Sequence, residues 1–128
     1  MTIRLDTPAE AFAAIASVVM AADTGVSDVE RDYLFTEIRT LTVFDGLDED
    51  GFSALLTRMT ERVAAELPAD GAVVSAAGVD ELARAARDVL TPERRAQALG
   101  MARSLAGAEG TEPAEFEVLE LLRVGLDA

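Results

Sequence analysis

Apolar residues in this chain recur three and four positions apart, the spacing that places them along one side of an α-helix. Between positions 8 and 22, Phe12, Ile15 and Val19 follow this spacing, and Phe52 and Leu56 begin a second such series. No segment alternates apolar and polar residues with the period of two that a half-buried strand shows. The pattern therefore predicts an all-α fold, a bundle of six to seven helices.

Residues that favour helix ends separate the periodic segments. Thr7-Pro8-Ala9-Glu10 and Ser27-Asp28-Val29-Glu30 each have the pattern of a capping box, in which a hydroxyl and a glutamate satisfy free N–H groups of the first turn. The six helices are expected to start after Thr7, after Ser27, near Asp48, at Val79, after Thr91 and after Glu112, and to end near Asp23, Phe44, Pro68, Leu90, Ala108 and Leu126. Ala72-Val73-Val74 is a candidate for a short seventh helix.

The same spacing predicts which side chains form the core. The Phe and Met residues are expected inside, together with the inward positions of the second and last helices. These positions are Tyr33, Leu34, Ile38 and Leu41 in the second helix, and Phe116, Leu119, Leu122 and Leu126 in the last. Because 128 residues correspond to about one domain and no linker interrupts them, residues 1–128 are predicted to fold as one domain.

The charge is strongly negative, with 24 Asp and Glu against 11 Arg and a net charge of −13. Such a surface repels phosphate backbones and anionic lipids, so we expect no nucleic-acid partner and no direct membrane insertion. Cations and basic protein surfaces are the favoured partners. The first residues lack the basic and then apolar pattern of a signal peptide, so a cytoplasmic location is expected.

The chain contains no Cys, no His and no Lys. Catalytic triads, thiol chemistry, Schiff bases and a P-loop lysine are thereby excluded. Only carboxylates, carbonyls and hydroxyls remain as metal ligands, which suit hard cations such as Ca²⁺ or Mg²⁺.

A sparse internal repeat relates the two ends of the chain at an offset of 85 positions. Ala21 then matches Ala106, Gly25 matches Gly110, Glu30 matches Glu115 and Leu34 matches Leu119. Each copy has a helix, an acidic turn with a glycine, and a second helix with Glu near its start. The repeat predicts a bundle built from two pseudo-symmetric helix–acidic turn–helix hairpins.

The segment Ala21-Ala22-Asp23-Thr24-Gly25-Val26-Ser27-Asp28-Val29-Glu30 resembles the signature of the TerB-like family, which is named for a tellurite-resistance protein. The second copy runs from Ala106 to Glu115, and its lead-in Leu90-Thr91-Pro92-Glu93-Arg94-Arg95 is also similar to that family. In this chain Thr24 is inserted before the glycine of the first copy, and Glu109 replaces the Asp of the second.

The resemblance implies a small helical cytoplasmic domain associated with tellurite and other stress resistance, with no established enzymatic activity. It also implies that acidic residues of the two turns bind a metal ion. The corresponding ligands here are Asp23, Glu30, Glu109 and Glu115, and the ion would be Ca²⁺ or Mg²⁺. A structural interpretation competes with this one, because Glu30 and Glu115 also occupy positions where a glutamate stabilises a helix start without any metal.

Two further charged segments are interpreted as structural. Residues 81–103 contain 5 Arg and 3 acids, a balance that we expect to be neutralised by packing beside acidic helices. Asp45-Gly46-Leu47-Asp48-Glu49-Asp50-Gly51 resembles a calcium loop in composition, but with Gly51 as its sixth residue the first ligand would be Gly46 and the twelfth Thr57. We therefore expect this segment to be a solvated loop that caps the third helix.

Two function classes remain open, with a third less favoured. The first is a non-catalytic stress-response or tellurite-resistance module that binds divalent cations through its acidic turns. The second is an acidic helical adaptor that docks a basic protein partner without specific metal binding. The less favoured third is a hydrolase that uses paired carboxylates and a metal.

Overall fold

The computed structural model describes residues 3–22, 28–67, 69–70, 73–107 and 113–128. It is an all-α helical bundle, which confirms the predicted fold class. Its six α-helices are α1 (Pro8–Ala22), α2 (Asp28–Ile38), α3 (Glu49–Glu66), α4 (Ala76–Val89), α5 (Pro92–Gly107) and α6 (Pro113–Leu126). A short 3-10 helix at Thr42–Phe44 lies between α2 and α3. Among the described residues, no helix is both long enough and apolar enough to cross a bilayer.

Before four of the helices, a side chain accepts a hydrogen bond from the first turn. The four described examples are Thr7 Oγ1 from the Glu10 N–H at 3.2 Å, Asp48 Oδ1 from Gly51 at 2.7 Å, Ser75 Oγ from Gly78 at 3.2 Å and Thr91 Oγ1 from Arg94 at 3.2 Å. Such caps satisfy N–H groups that have no partner within the helix. The predicted cap at Ser27 lies outside the described residues.

The start of α1 is also tied to α3 through Glu10. Its Oε1 accepts a hydrogen bond from the Asp6 N–H at 2.8 Å, and its Oε2 accepts one from Arg58 at 2.8 Å. Arg62 of α3 donates to the carbonyl oxygen of Arg4. These bonds hold the segment before α1 against α3, with Ile3 and Leu5 buried.

The core is centred on α1, which is apolar on all sides and buried from Glu10 to Met20. It packs against α3, α4, α5 and α6, which explains why this one helix has no exposed polar face. Phe12 meets Phe44 edge-on at 6.2 Å between ring centroids, and Phe44 meets Phe52 in the same manner at 5.0 Å. The predicted inward face of α3 is confirmed, since Phe52, Leu55, Leu56, Met59 and Val63 are all buried.

Helices α4 and α6 approach each other very closely at Gly125. A Cβ atom at this position would lie 2.5 Å from the Cβ of Ala83 and 3.6 Å from the Asp80 carbonyl oxygen. The absence of a side chain on Gly125 therefore allows the two helices to touch backbone to backbone.

Several helix bounds and core positions differ from the sequence-based expectations, and the fourth helix begins at Ala76 rather than at Val79. The second helix ends at Ile38 rather than near Phe44, and the chain continues through the 3-10 helix into a turn at Gly46, whose φ of 91° suits glycine. Tyr33 is 63% exposed and Phe116 is 65% exposed, so both were wrongly placed in the core. Their helices carry apolar residues on more than one side, and periodicity alone does not select the buried side.

The prediction of a short seventh helix at positions 72–74 is also wrong for positions 73 and 74, which form a strand. Val73–Val74 pairs in antiparallel fashion with Ala69–Asp70, so that Ala69 faces Val74 and Asp70 faces Val73. Position 72 lies outside the described residues. This two-residue pairing is a tight connection between α3 and α4 and leaves the helical architecture unchanged.

Two pairs of helices begin at nearly the same offset along the chain. α5 begins 84 residues after α1, at Pro92 against Pro8, and α6 begins 85 residues after α2, at Pro113 against Asp28. The helix starts therefore agree with the offset seen in the sequence. The pseudo-symmetric arrangement of the two hairpins in space remains a prediction.

Candidate functional site

The four predicted metal ligands are only partly within the described residues. Asp23 and Glu109 lie outside them. Glu30 is the third residue of α2, and Glu115 is the third residue of α6. The two glutamates thus have the same position in their helices, as both the ligand and the capping interpretations require. Their side chains lie outside the described part of the structure.

Within the described segments, no group of three or more acidic residues is arranged to hold a metal ion. The acidic loop before α3 has the capping role expected from its sequence, because Asp48 accepts the Gly51 N–H. Together with the unsuitable spacing of its residues, this bond supports the structural interpretation of the loop.

The arginines of the 81–103 segment make intramolecular contacts. Arg95 donates to the carbonyl oxygens of Leu90 at 3.1 Å and Arg87 at 3.0 Å, and so caps the end of α4. Arg94 donates to Thr42 Oγ1 at 2.9 Å, which ties α5 to the 3-10 helix. Carboxylates contribute as well, since Arg84 pairs with Asp80 of its own helix at 3.1 Å. The pKa of Glu120 on α6 is lowered mainly by its hydrogen bond to Arg123 and in part by the charge of Arg103.

A cleft of about 580 Å³ opens between α1, α2 and α3. Its size lies within the range of ~300–1,000 Å³ that is common for ligand sites. Each of the three helices contributes residues at helical spacing: Ser17 and Met20 from α1, Asp32 and Phe35 from α2, and Ser53, Leu56, Thr57, Thr60 and Glu61 from α3.

The deep part of the cleft is apolar. Met20 and Leu56 are buried, and Phe35 is half-buried beside them. Met20 provides a polarisable thioether and Phe35 an aromatic ring, a combination that packs well against a flat apolar group. This floor can therefore hold an apolar side chain or a small apolar ligand.

Hydroxyl groups with unused hydrogen-bonding capacity line the same cleft. Ser17 is only 8% exposed, and its hydroxyl has no hydrogen-bond partner among the described residues. Ser53 and Thr57 of α3 likewise have none within the described part of the chain, whereas Thr60 donates to the Leu56 carbonyl oxygen at 2.7 Å. Among the described residues, the side-chain atom that is both fully enclosed and without a partner is Glu81 Oε2, not Ser17 Oγ. The Ser17 hydroxyl is therefore open to the cleft, where it can pair with water or with a bound group.

The two charged residues in the described lining of the cleft are both acidic. Asp32 on α2 and Glu61 on α3 are exposed, and no arginine is among the lining residues that the structure describes. Neither carboxylate forms an ion pair within the described residues. The rim is thus suited to a cationic or donor-rich group.

A second depression of about 350 Å³ lies after α2, lined in part by Thr36, Thr40 and Arg39. Its threonine hydroxyls are already used, since Thr36 donates to the Asp32 carbonyl oxygen and Thr40 to that of Glu37, both at 2.8 Å. We therefore regard the cleft between α1, α2 and α3 as the candidate functional site.

The cleft was not among the sites predicted from the sequence. Its signal was a polar stripe at positions 53, 57, 60 and 61 of α3, together with a single serine in the otherwise apolar middle of α1. Both features are ordinary in a helix, and they gain meaning only when the three helices are placed side by side.

Comparisons of the chain with models of protein families, with curated proteins and with solved structures find no match. The similarity to the TerB-like family therefore rests on the sequence motifs alone.

Proposed function

We propose that the protein is a non-catalytic adaptor that docks a basic segment of a partner protein in the cleft between α1, α2 and α3. The observation that carries this proposal is the combination of an apolar floor with an acidic rim. A floor of Met20, Phe35 and Leu56 accepts an apolar side chain, while Asp32 and Glu61 attract cationic neighbours of that side chain.

The surface beside the rim supports docking of a protein rather than of an isolated ion. On α2, Val29 is 78% exposed and Tyr33 is 63% exposed, one helical turn apart. Asp32 lies three residues after Val29, so these residues share one side of the helix. An exposed apolar pair that continues from the rim of a cleft is typical of a protein interaction surface.

The whole-molecule charge favours the same class of partner. A net charge of −13 speeds the approach of basic surfaces and opposes that of nucleic acid or anionic lipid. Long-range attraction alone does not select a site, and the cleft provides the local contacts that do so. The expected setting of this interaction is the cytoplasm.

Isothermal titration with a basic helical peptide tests the proposal. The probe is an Arg-containing amphipathic peptide of about twelve residues, long enough to follow the roughly 12 Å of α3 between Ser53 and Glu61. The double variant Asp32→Arg/Glu61→Arg should bind at least about tenfold more weakly than the wild type, because both rim charges are reversed.

The matched control is Asp88→Arg/Glu117→Arg, which changes the net charge equally at exposed positions outside the cleft lining. We expect this control to retain most of the affinity. Equal weakening in both double variants would show that only net charge matters and would contradict docking in the cleft.

The second candidate function is the stress-response module with a Ca²⁺ or Mg²⁺ site at Asp23, Glu30, Glu109 and Glu115. The equivalent third positions of Glu30 and Glu115 in α2 and α6 are compatible with it, as they are with helix capping. Calorimetric titration with Ca²⁺ should then reveal a saturable site that Asp23→Asn abolishes. Glu30→Gln should abolish it as well, although glutamine still completes a capping box. Absence of saturable binding in the wild type at millimolar Ca²⁺ and Mg²⁺ would contradict this candidate.

A further inference from the structure

The unpaired hydroxyl of Ser17 indicates which side chain the cleft receives. Ser17 is more than nine-tenths buried, lies on α1 beside Met20, and has no hydrogen-bond partner among the described residues. We call the partner side chain that enters the cleft the anchor. A purely aliphatic anchor would separate this hydroxyl from water without giving it a hydrogen-bond partner, which opposes binding. An anchor with a polar tip would pair with it.

The rest of the floor favours an aromatic anchor. The thioether of Met20 and the ring of Phe35 both make favourable contacts with aromatic rings, and Leu56 completes the apolar surface. A flat ring also loses little conformational entropy on insertion, which is one reason why tyrosine is common at the centre of interfaces.

The rim determines what flanks the anchor. Asp32 and Glu61 stand on opposite helices, α2 and α3, and their carboxylates are free of ion pairs within the described structure. Arginines before and after the anchor would reach both carboxylates, and guanidinium groups would also find acceptors in the hydroxyls of Ser53 and Thr57.

We propose that the cleft recognises a tyrosine flanked by arginines in a partner protein, with the phenol hydroxyl hydrogen-bonded to Ser17 at the floor. This inference rests on the proposed docking function and specifies the partner's sequence chemistry. It makes Ser17 the residue that distinguishes tyrosine from phenylalanine.

A thermodynamic cycle tests this assignment directly. Two otherwise identical arginine-containing peptides, one with Tyr and one with Phe at the central position, are titrated into the wild type and Ser17→Ala. The wild type should bind the Tyr peptide about fivefold to tenfold more tightly than the Phe peptide, the usual worth of one hydrogen bond. In Ser17→Ala that preference should disappear, while affinity for the Phe peptide stays equal or rises.

The control variant is Ser104→Ala, which removes an exposed serine of α5 that does not line the cleft and should keep the Tyr preference. Because alanine favours helix formation and α1 is already rich in it, Ser17→Ala should fold normally, as its circular dichroism can verify.

The outcomes separate this inference from the docking function. If both peptides bind the wild type equally and Ser17→Ala changes neither affinity, the tyrosine assignment is overturned while docking of a basic segment stands. If neither peptide binds, and neither does an arginine peptide with a leucine anchor, docking itself fails. If free tyramine binds as tightly as the Tyr peptide, the cleft is a small-molecule site and the partner-protein assignment is overturned.

Discussion

The side chain of Tyr33 is held at the surface of α2 by a hydrogen bond to Glu37. Its hydroxyl donates to Glu37 Oε1 at 3.0 Å, one turn further along the helix. The bond stabilises the protonated phenol, and the nearby negative charge disfavours the phenolate. Both effects raise the pKa of Tyr33 above its ordinary value of 10.0, and the hydrogen bond contributes most.

This raised pKa gives a simple spectroscopic prediction. Because the chain has a single Tyr and no Trp, the ultraviolet absorbance of the phenolate reports on Tyr33 alone. Glu37→Gln should lower the titration midpoint towards 10.0, since the charge is removed and only a weaker acceptor remains. Glu117→Gln, at an exposed position of α6, should leave it unchanged. Identical midpoints in wild type and Glu37→Gln would refute the assigned cause.

The same bond affects stability with a definite sign. Because the pKa of Tyr33 is raised in the folded state, the hydrogen bond makes a small contribution to the free energy of unfolding. This contribution is fully present below pH 10.0 and is lost as the pH rises through the folded-state pKa. The contribution is therefore present at neutral pH, and alkaline conditions remove it.

At the scale of the helices, α4 and α6 approach each other closely. This close approach depends on Gly125, where an added Cβ would lie 2.5 Å from the Cβ of Ala83. The Ala83 Cβ is fixed directly to the backbone and cannot rotate away, so the helices themselves would have to separate.

We expect Gly125→Ala to lower the melting temperature even though alanine favours a helix. The clash should cost about 1–3 kcal/mol, which outweighs a gain in helix propensity of at most ~1 kcal/mol. Gly100 is the matched control, because it lies within α5 with no heavy atom within 4 Å of an added Cβ. Gly100→Ala should stabilise the protein by about 0.4–1 kcal/mol.

The double variant Gly125→Ala/Ala83→Gly provides a check on the mechanism. Removing the Ala83 methyl group vacates the space that the new methyl group needs, so part of the lost stability should return. If Gly125→Ala and Gly100→Ala raise the melting temperature equally, the close approach does not constrain the helices.

The helices themselves were largely predictable, because their starts depend on local chemistry. Thr7, Asp48 and Thr91 cap their helices as their neighbouring residues indicate, and the buried face of α3 follows its spacing. Tyr33 and Phe116 were wrong because the choice of buried side is made by the packing of other helices. The cleft was unpredictable for the same reason: Ser17, Asp32 and Glu61 are distant in sequence and meet only through the arrangement of α1, α2 and α3.

At the scale of the whole molecule, the dominant property is a net charge of −13 on 128 residues. Like charges at this density repel one another in the compact state, and dissolved salt screens that repulsion over roughly 8–10 Å at physiological ionic strength. Three of the described ion pairs do little to offset it, since Arg4–Asp6, Arg84–Asp80 and Arg123–Glu120 are exposed and lie within two to four residues of each other. The Arg58–Glu10 and Arg62–Glu66 pairs are less exposed, and the first of them links α3 to α1.

Salt should therefore stabilise the protein without binding to any particular site. We expect the melting temperature to rise smoothly with NaCl, as repulsion is screened. A specific Ca²⁺ site would act differently, because it binds the folded state alone and adds about 2.7 kcal/mol when Ca²⁺ is at 100 times its dissociation constant. For a domain of this size that free energy corresponds to an extra increase of several degrees, roughly 5–20 °C.

Melting curves with NaCl and CaCl₂ at equal ionic strength separate the two effects. If the acidic turns form a cation site, CaCl₂ should raise the melting temperature well beyond NaCl, and Asp23→Asn should remove only the excess. Asp50→Asn, which changes an exposed acid in the first turn of α3, should keep it. Coincident curves for the two salts would mean that cations act on this protein only by screening, and the acidic surface would then serve the docking of a basic partner.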